Sequence, residues 1–398
     1  MEETLAQDAK AVYWWRALMS RYDFQIPLTF KHRIVFTRDV FGAGLKDLAE
    51  VFADAAGVKR GLILIEDAVA QAWPGLEVGA REGMSSIGFE IADFAVLPGG
   101  EQVKADDALV REVWRLIDAA HLDRHSYLVA IGGGAFLDAV GFAAATAHRG
   151  MRLVRVPTTT LAQCDSGVGV KCAINGFGKK NWIGSFAVPF AVVNDFAFLQ
   201  SLDSTTQRAG LIEAVKVALV KDREFFEWIE ARLEGLAALD APLLEACVER
   251  SAMLHARHIA EGGDAFESGS SRPLDFGHWA AHKLESMTGG ELSHAPAVAI
   301  GLALDVLYSV EAGLASQTLA ERALQLISGL GLQTFHPALD WRDERGCRVV
   351  LGGLEEFREH LGGRLTVLML QDIGRGENVH ELNIEILDRC IARLGVER

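Results

Sequence analysis

The stretch AIGGGAFLDAVGFAAATAHRG, residues 130–150, decides the fold. An apolar run, YLVAIGGG (127–134), ends in three glycines and gives way to an alanine-rich helical stretch with Asp138 in its first turn. In such a strand–turn–helix unit the backbone can approach a pyrophosphate closely, and the helix N-terminus offers unpaired N–H groups. Alone the motif has low specificity, because it lacks the G-x-G-x-x-G spacing and a purely structural turn reads the same way.

Upstream, RGLILIE (60–66) is another short apolar run, while FGAGLKDLAEVFADAAG (41–57) and DDALVREVWRLIDAAH (106–121) have helical spacing. Alternation of this kind predicts a mostly parallel sheet. Beyond about residue 205 the pattern changes: 206–236, 242–262, the stretch from about 278 and 297–313 all read as helix, with one strand pair expected near RLTVLMLQDIG (364–374). The expected architecture is an α/β, Rossmann-like N-terminal domain over 1–205 and an all-α C-terminal domain over 206–398, with a ligand cleft between them.

With 50% hydrophobic and 23% charged residues in 398, the chain has the composition of an ordinary globular protein. A formal charge of -15 argues against nucleic acid or an anionic membrane as partner. The five cysteines are scattered and form no C-x-x-C, which fits a reducing, cytoplasmic setting. The acidic N-terminus and the lack of any apolar run near 20 residues leave no expected targeting or membrane segment. Trp14 and Trp15 there have no assigned role beyond packing or a dimer contact.

Other motifs carry chemistry. LPGGEQVK (97–104) sets Glu101 and Lys104 behind a glycine pair, either an exposed turn or a partner for ribose hydroxyls. RVPTTTLAQCDSGVGVKCAINGFGKKNWIG (155–184) reads as a polar loop whose Asp165, Lys171, Lys179, Lys180 and Asn181 form either a phosphate cradle or a solvated surface. Glu213 and Lys216 share a helix face, ordinarily as an exposed ion pair. HWAAH (278–282) has Trp279 where the zinc proteases place their general base, so that reading fails. His278 and His294 with Glu213 would make a three-ligand metal site with open positions, although single histidines are more often structural.

In their order along roughly 60–375, these motifs resemble the dehydroquinate synthase family of sugar phosphate cyclases. AHRGMRLVRVPTTTLAQCDSGVGVK, GSSRPLDFGHWAAHKLE and EFREHLGG are most similar to its C7-cyclitol branch, the valiolone-type synthases and the related proteins of Ebo-type clusters. The resemblance implies an NAD-binding α/β domain, a helical domain that binds metal and substrate, and a homodimer. It implies NAD and a divalent metal, zinc or cobalt, held by Glu213, His278 and His294. By position, Lys171, Lys180, Asn181, Lys216, Asp275, His282, Arg257 and His360 fall on substrate or catalytic sites, and Arg149 would reach the phosphate across the dimer interface. Glu101, Lys104, Gly133, Gly134, Asp138, Thr158, Thr159, Asp165 and Lys180 match cofactor-side positions.

The family chemistry is transient oxidation, β-elimination of phosphate, return of the hydride and intramolecular aldol closure, hence a phosphate lyase with no net redox change. Ser271 stands where dehydroquinate synthase itself has the arginine for the substrate carboxylate, and Asp275 where it has asparagine. A neutral substrate end fits such a pocket better, pointing to sedoheptulose 7-phosphate or a close relative and a valiolone-type product. Arg257 or Arg272 could compensate, and Arg358 with His360 replace an expected lysine. HAPAV in place of HGEAV changes the loop around His294. The alternatives are dehydroquinate synthase, an NAD- and metal-dependent polyol dehydrogenase, and an inactive scaffold.

Overall fold

The computed structural model describes residues 21–53, 57–267, 273–360 and 363–396, and of His360 the backbone alone. Ser271, Arg272, the His360 side chain, Trp14 and Trp15 therefore lie outside the described residues. The chain divides into two units, 1–31 and 32–398. In the first, 21–31 has no regular secondary structure, and Tyr22, Phe24, Ile26 and Leu28 are exposed.

In the second unit, β1 (Ile34–Thr37), β2 (Lys59–Glu66), β3 (Phe89–Leu97), β4 (Tyr127–Gly132) and β5 (Arg152–Pro157) join a later strand in one sheet. β6 (Lys171–Gly176) and β7 (Lys179–Phe186) form a separate antiparallel hairpin, and β8 (Ala191–Asp195) returns to the main sheet. The expected loop over 155–184 thus becomes this hairpin from Lys171 onward, where Cys172, Ala173 and Ile174 are buried and Ile174 has the branched side chain that suits a strand. The main sheet has the order β1-β8-β5-β4-β2-β3, with every pair parallel. From β2 the chain moves outward to β3, returns to the other side of β2 as β4, and then proceeds to β5 and β8. The order therefore reverses between β2 and β4, the place where open α/β sheets bind ligands.

Six helices carry or brace the site: α1 (Gly134–Thr146), α2 (Leu211–Lys221), α3 (Ala241–Glu261), α4 (His278–Met287), α5 (His294–Glu311) and α6 (Gly352–His360). The helix expected over 206–236 is broken into four pieces, one break lying at Asp222, whose carboxylate accepts from Phe225 N at 2.9 Å. β9 (Val367–Asp372) and β10 (Arg375–Val379) form the strand pair expected near 364–374.

α5 is apolar on nearly all sides and runs through the core of the helical half. α4 starts against it at Gly277, whose φ of 77° lies in the left-handed region; a Cβ there would stand 2.7 Å from Leu302 N. Asp305, on α5 and fully buried, accepts from Gly277 N at 2.9 Å and from Trp279 Nε1 at 2.8 Å. Trp279 is thus a structural anchor that pins the first turn of α4 to α5.

Burial raises the Asp305 carboxyl to about 7 against the pull of its two donors. The folded protein therefore binds this proton more tightly than the unfolded chain. That contribution is complete below about pH 4, the unfolded carboxyl range, and is lost as pH rises through 7. In urea titrations at several pH values, the difference in stability between wild type and Asp305→Asn should drift toward the variant by roughly 1.4 kcal/mol per pH unit in that window. A flat difference would mean Asp305 is ionised throughout.

Candidate active site

His278 opens α4 and His282 follows one turn later on the same face, with ring centroids 5.5 Å apart. His294 opens α5, its ring 5.5 Å from that of His278. Glu213, from α2, completes a group with His278 and His294 in which one ligand atom of each lies within 4.8 Å of the others. The pair Glu213–Lys216, which in isolation reads as an exposed ion pair, is buried, with side-chain exposures of 1% and 2%.

Several features make this group suited to a cation. Glu213 Oε2 is ion-paired to Lys216, while its buried Oε1 has no hydrogen-bond partner, a costly state for a carboxylate oxygen without a further partner. Burial raises the Glu213 carboxyl, and Lys216 opposes that rise. Lys216 itself is held charged: burial lowers it, but Asp165 and Glu213 more than compensate. Burial, aided by Lys216, lowers His278 well below the usual histidine range, so it is neutral. Its Nδ1 lies 3.1 Å from the Phe276 carbonyl and must donate there, which leaves the Nε2 lone pair available.

The facing wall comes from the α/β half. Gly133 caps α1 and Gly134 begins it, and a Cβ at Gly134 would stand 2.6 Å from Ser166 Oγ. Thr158 N donates to Gly132 O at 3.0 Å, and the Thr159 hydroxyl accepts from Ala162 N at 3.2 Å. Lys104, buried, reaches Asp138 at 2.6 Å and also contacts the Asn181 side-chain oxygen. Lys180 lies 2.5 Å from Glu101 and 3.2 Å from Glu285. Asp165 sits in a single π-helical turn, Ala162–Ser166, a distortion common at functional sites. It lies 2.7 Å from His255 and 3.8 Å from Lys216. Burial opposes its ionisation, but Lys216 and His255 hold it well below the usual carboxylate range.

Lys171 stands 2.7 Å from Glu267 and 3.9 Å from Asp275. Arg149 is exposed in a corner where His148, Arg149 and Gly150 all have positive φ, and Arg257 is exposed on α3. Arg358 pairs with Glu355 and donates to Gly363 O.

Sequence reasoning missed several residues. Glu66 ends β2 at the switch point and accepts from Gly100 N at 2.9 Å and Gly133 N at 2.6 Å, fastening both glycine turns to the sheet. Its signal was an acid closing an otherwise apolar run. Arg155, fully buried, donates to Gly167 O at 3.3 Å, Gly169 O at 2.7 Å and Lys171 O at 3.0 Å, shaping the segment that carries Asp165 and Lys171. Glu285 lies seven positions after His278 on the same helix face and accepts from His294 Nδ1 at 2.9 Å. Burial raises its carboxyl, but His294 and Lys180 outweigh that and hold it ionised.

Residues 94–209 match the 3-dehydroquinate synthase N-terminal family and 210–346 the C-terminal one. This chain belongs to the 3-dehydroquinate synthase family. It is 35% identical over 352 residues to the 3-dehydroquinate synthase of Azotobacter vinelandii, covering 87% of this chain and 92% of that one. Among solved structures, the 2-epi-5-epi-valiolone synthase ValA of Streptomyces hygroscopicus subsp. jinggangensis, with NAD+ and Zn2+ bound, matches with a TM-score of 0.83 and 25% identity, covering 95% of this chain and all of that one (100%). A 2-deoxy-scyllo-inosose synthase shares the fold with a TM-score of 0.74 at 21% identity over 90% of this chain and 96% of that one.

The two α4 histidines differ in surroundings, His278 buried beside Glu213 and His282 partly exposed. By elemental analysis, His278→Ala should lose bound divalent metal and His282→Ala should retain it. Equal loss from both would make His282 a ligand as well.

Proposed function

We propose that this chain is a sugar phosphate cyclase, dependent on NAD and a divalent metal, that converts sedoheptulose 7-phosphate or a close C7 sugar phosphate to a valiolone-type cyclitol and releases phosphate. The metal would be held by Glu213, His278 and His294, and the under-bonded, buried Glu213 carboxylate supports that assignment. Bound there, zinc or cobalt would supply Lewis acidity toward adjoining substrate oxygens. NAD, placed over Gly133 and Gly134 at the α1 N-terminus with Glu101, Lys104, Asp138, Thr158, Thr159 and Asp165 around it, would supply a hydride acceptor that is regenerated in each turnover.

The remaining residues act on substrate. Lys216, kept charged by Asp165 and Glu213, presents an ammonium beside the metal ligands. His282, Lys171, Lys180 and Asn181 would orient the sugar phosphate. Arg149 would approach the phosphate from the second subunit of a homodimer, in keeping with its exposed corner. Arg257 and His360 complete the proposed set.

One observation carries the substrate assignment: Lys171 already has two carboxylates, Glu267 at 2.7 Å and Asp275 at 3.9 Å. A substrate carboxylate brought there would add a third anion to one cation, whereas a hydroxymethyl end would not. 3-Dehydroquinate synthase itself is the second reading, favoured by the name of the relative at 35% identity.

Purified protein with NAD and a divalent metal should release phosphate from sedoheptulose 7-phosphate and turn over the carboxylate-bearing dehydroquinate precursor far more slowly. An unpaired buried ion costs on the order of 3–5 kcal/mol, equivalent to roughly a hundred- to several-thousand-fold in kcat/KM. Asp275→Asn should narrow the gap. A higher kcat/KM for the carboxylate substrate would select the synthase reading, with Arg257 or Arg272 in the role of the missing arginine.

During turnover no net NADH should accumulate, because oxidation and reduction cancel in one site. Absorbance of reduced nicotinamide growing in proportion to product would instead identify a polyol dehydrogenase.

A further inference from the structure

His282, Glu285 and His294 also bring ligand atoms within 4.8 Å of one another, a second group of cation-site composition that shares His294 with the first. The bonding of Glu285 assigns this group a different purpose. His294 faces the two groups with different nitrogens: Nε2 is 3.9 Å from Glu213 Oε1, and Nδ1 is 2.9 Å from Glu285 Oε1. The other oxygen of Glu285 lies 3.2 Å from Lys180 Nζ, and the side chain is 4% exposed. Both carboxylate oxygens are engaged, one by an imidazole and one by an ammonium.

We infer that Glu285 is a positioning residue that orients His294 as a metal ligand and ties it to Lys180 on the opposite wall. A neutral imidazole carries one N–H, and the group that accepts it decides which nitrogen keeps a lone pair. Glu285 accepts from Nδ1, so Nε2 presents its lone pair toward Glu213 and His278. Lys180, shared with Glu101, gives the second oxygen of Glu285 a cationic partner, so the buried carboxylate is not left unpaired. Lys180 belongs to β7 and Glu285 to α4, so the same carboxylate joins the hairpin to the metal-binding helices. Glu101, 2.5 Å from Lys180, extends the chain of contacts to the turn that follows β3.

The inference rests on the metal site proposed above, and the test separates the two. Zinc affinity of the full-length apoprotein would be measured by competition with a chromophoric chelator for wild type, Glu285→Met, Glu285→Gln and Lys180→Met, with thermal unfolding as a check on folding. Glu285→Met should bind zinc about 10- to 100-fold more weakly, the usual effect of removing a carboxylate behind a histidine ligand. Glu285→Gln keeps an oxygen acceptor on Nδ1 and should stay within about threefold of wild type, as should Lys180→Met, in which Glu285 still holds the ring. Tight zinc binding by wild type that is unchanged in Glu285→Met overturns the inference and leaves the metal site standing. Equal weakening by Lys180→Met and Glu285→Met also overturns it. Should Glu285→Met fail to fold, Glu285→Gln decides alone, and a loss of tenfold or more contradicts the acceptor role. A wild type that takes up no zinc overturns the metal reading and this inference together.

Discussion

The close approach of α4 and α5 at Gly277 and Gly301 is the constraint on which the site depends. A Cβ on Gly301 would stand 2.1 Å from the Gly277 carbonyl oxygen, so the two backbones touch with no side chain between them. His278 follows that contact directly, and His294 begins the helix on its other side. Asp305 then uses both oxygens to hold the joint, one for the main chain and one for the Trp279 indole. Rotamer choice alone would not bring two imidazoles from separate helices to one point; the helix starts are themselves located by the core.

Charge is organised around the site as lysines that each face one or two acids. Lys216 faces Glu213 and Asp165, Lys180 faces Glu101 and Glu285, Lys104 faces Asp138, and Lys171 faces Glu267 and Asp275. Each lysine that sequence motifs assign to phosphate or cofactor therefore already has an acid beside it. Around Lys216 and Lys180 the neighbouring acids offset the desolvation of the ammonium groups, and an arriving anion competes with a carboxylate already in place.

Much of this was legible in the sequence, for identifiable reasons. The parallel sheet followed from alternating apolar runs and helices, and the glycine turn from its spacing after β4. Glu213, His278 and His294 were legible as a ligand set by residue type, the family resemblance implied the same three, and the helical segments do converge. Trp279 could be read only as an obstacle to a zinc-protease motif, since its partner lies 26 positions away and the hydrogen bond leaves no local pattern. Glu66 and Arg155 escaped for a related reason: they bind main-chain atoms, which no residue pattern advertises. The hairpin over β6 and β7 reads as a loop in sequence because its glycines and lysines outweigh three buried apolar residues.

The Arg155 guanidinium has a consequence for how this enzyme can change over evolutionary time. It shapes the segment from Gly167 to Lys171 through carbonyl oxygens, a group that every amino acid possesses. At Lys171, the exposed position of the segment, the path of the backbone is set without reference to the side chain, whereas a Cβ at Gly167 would stand 2.6 Å from the Ala162 carbonyl oxygen. Substitutions of Lys171 that alter what the site recognises can therefore be accepted without dismantling that shape, provided the buried arginine stays. The scaffold and the recognition surface are, at this point, inherited separately.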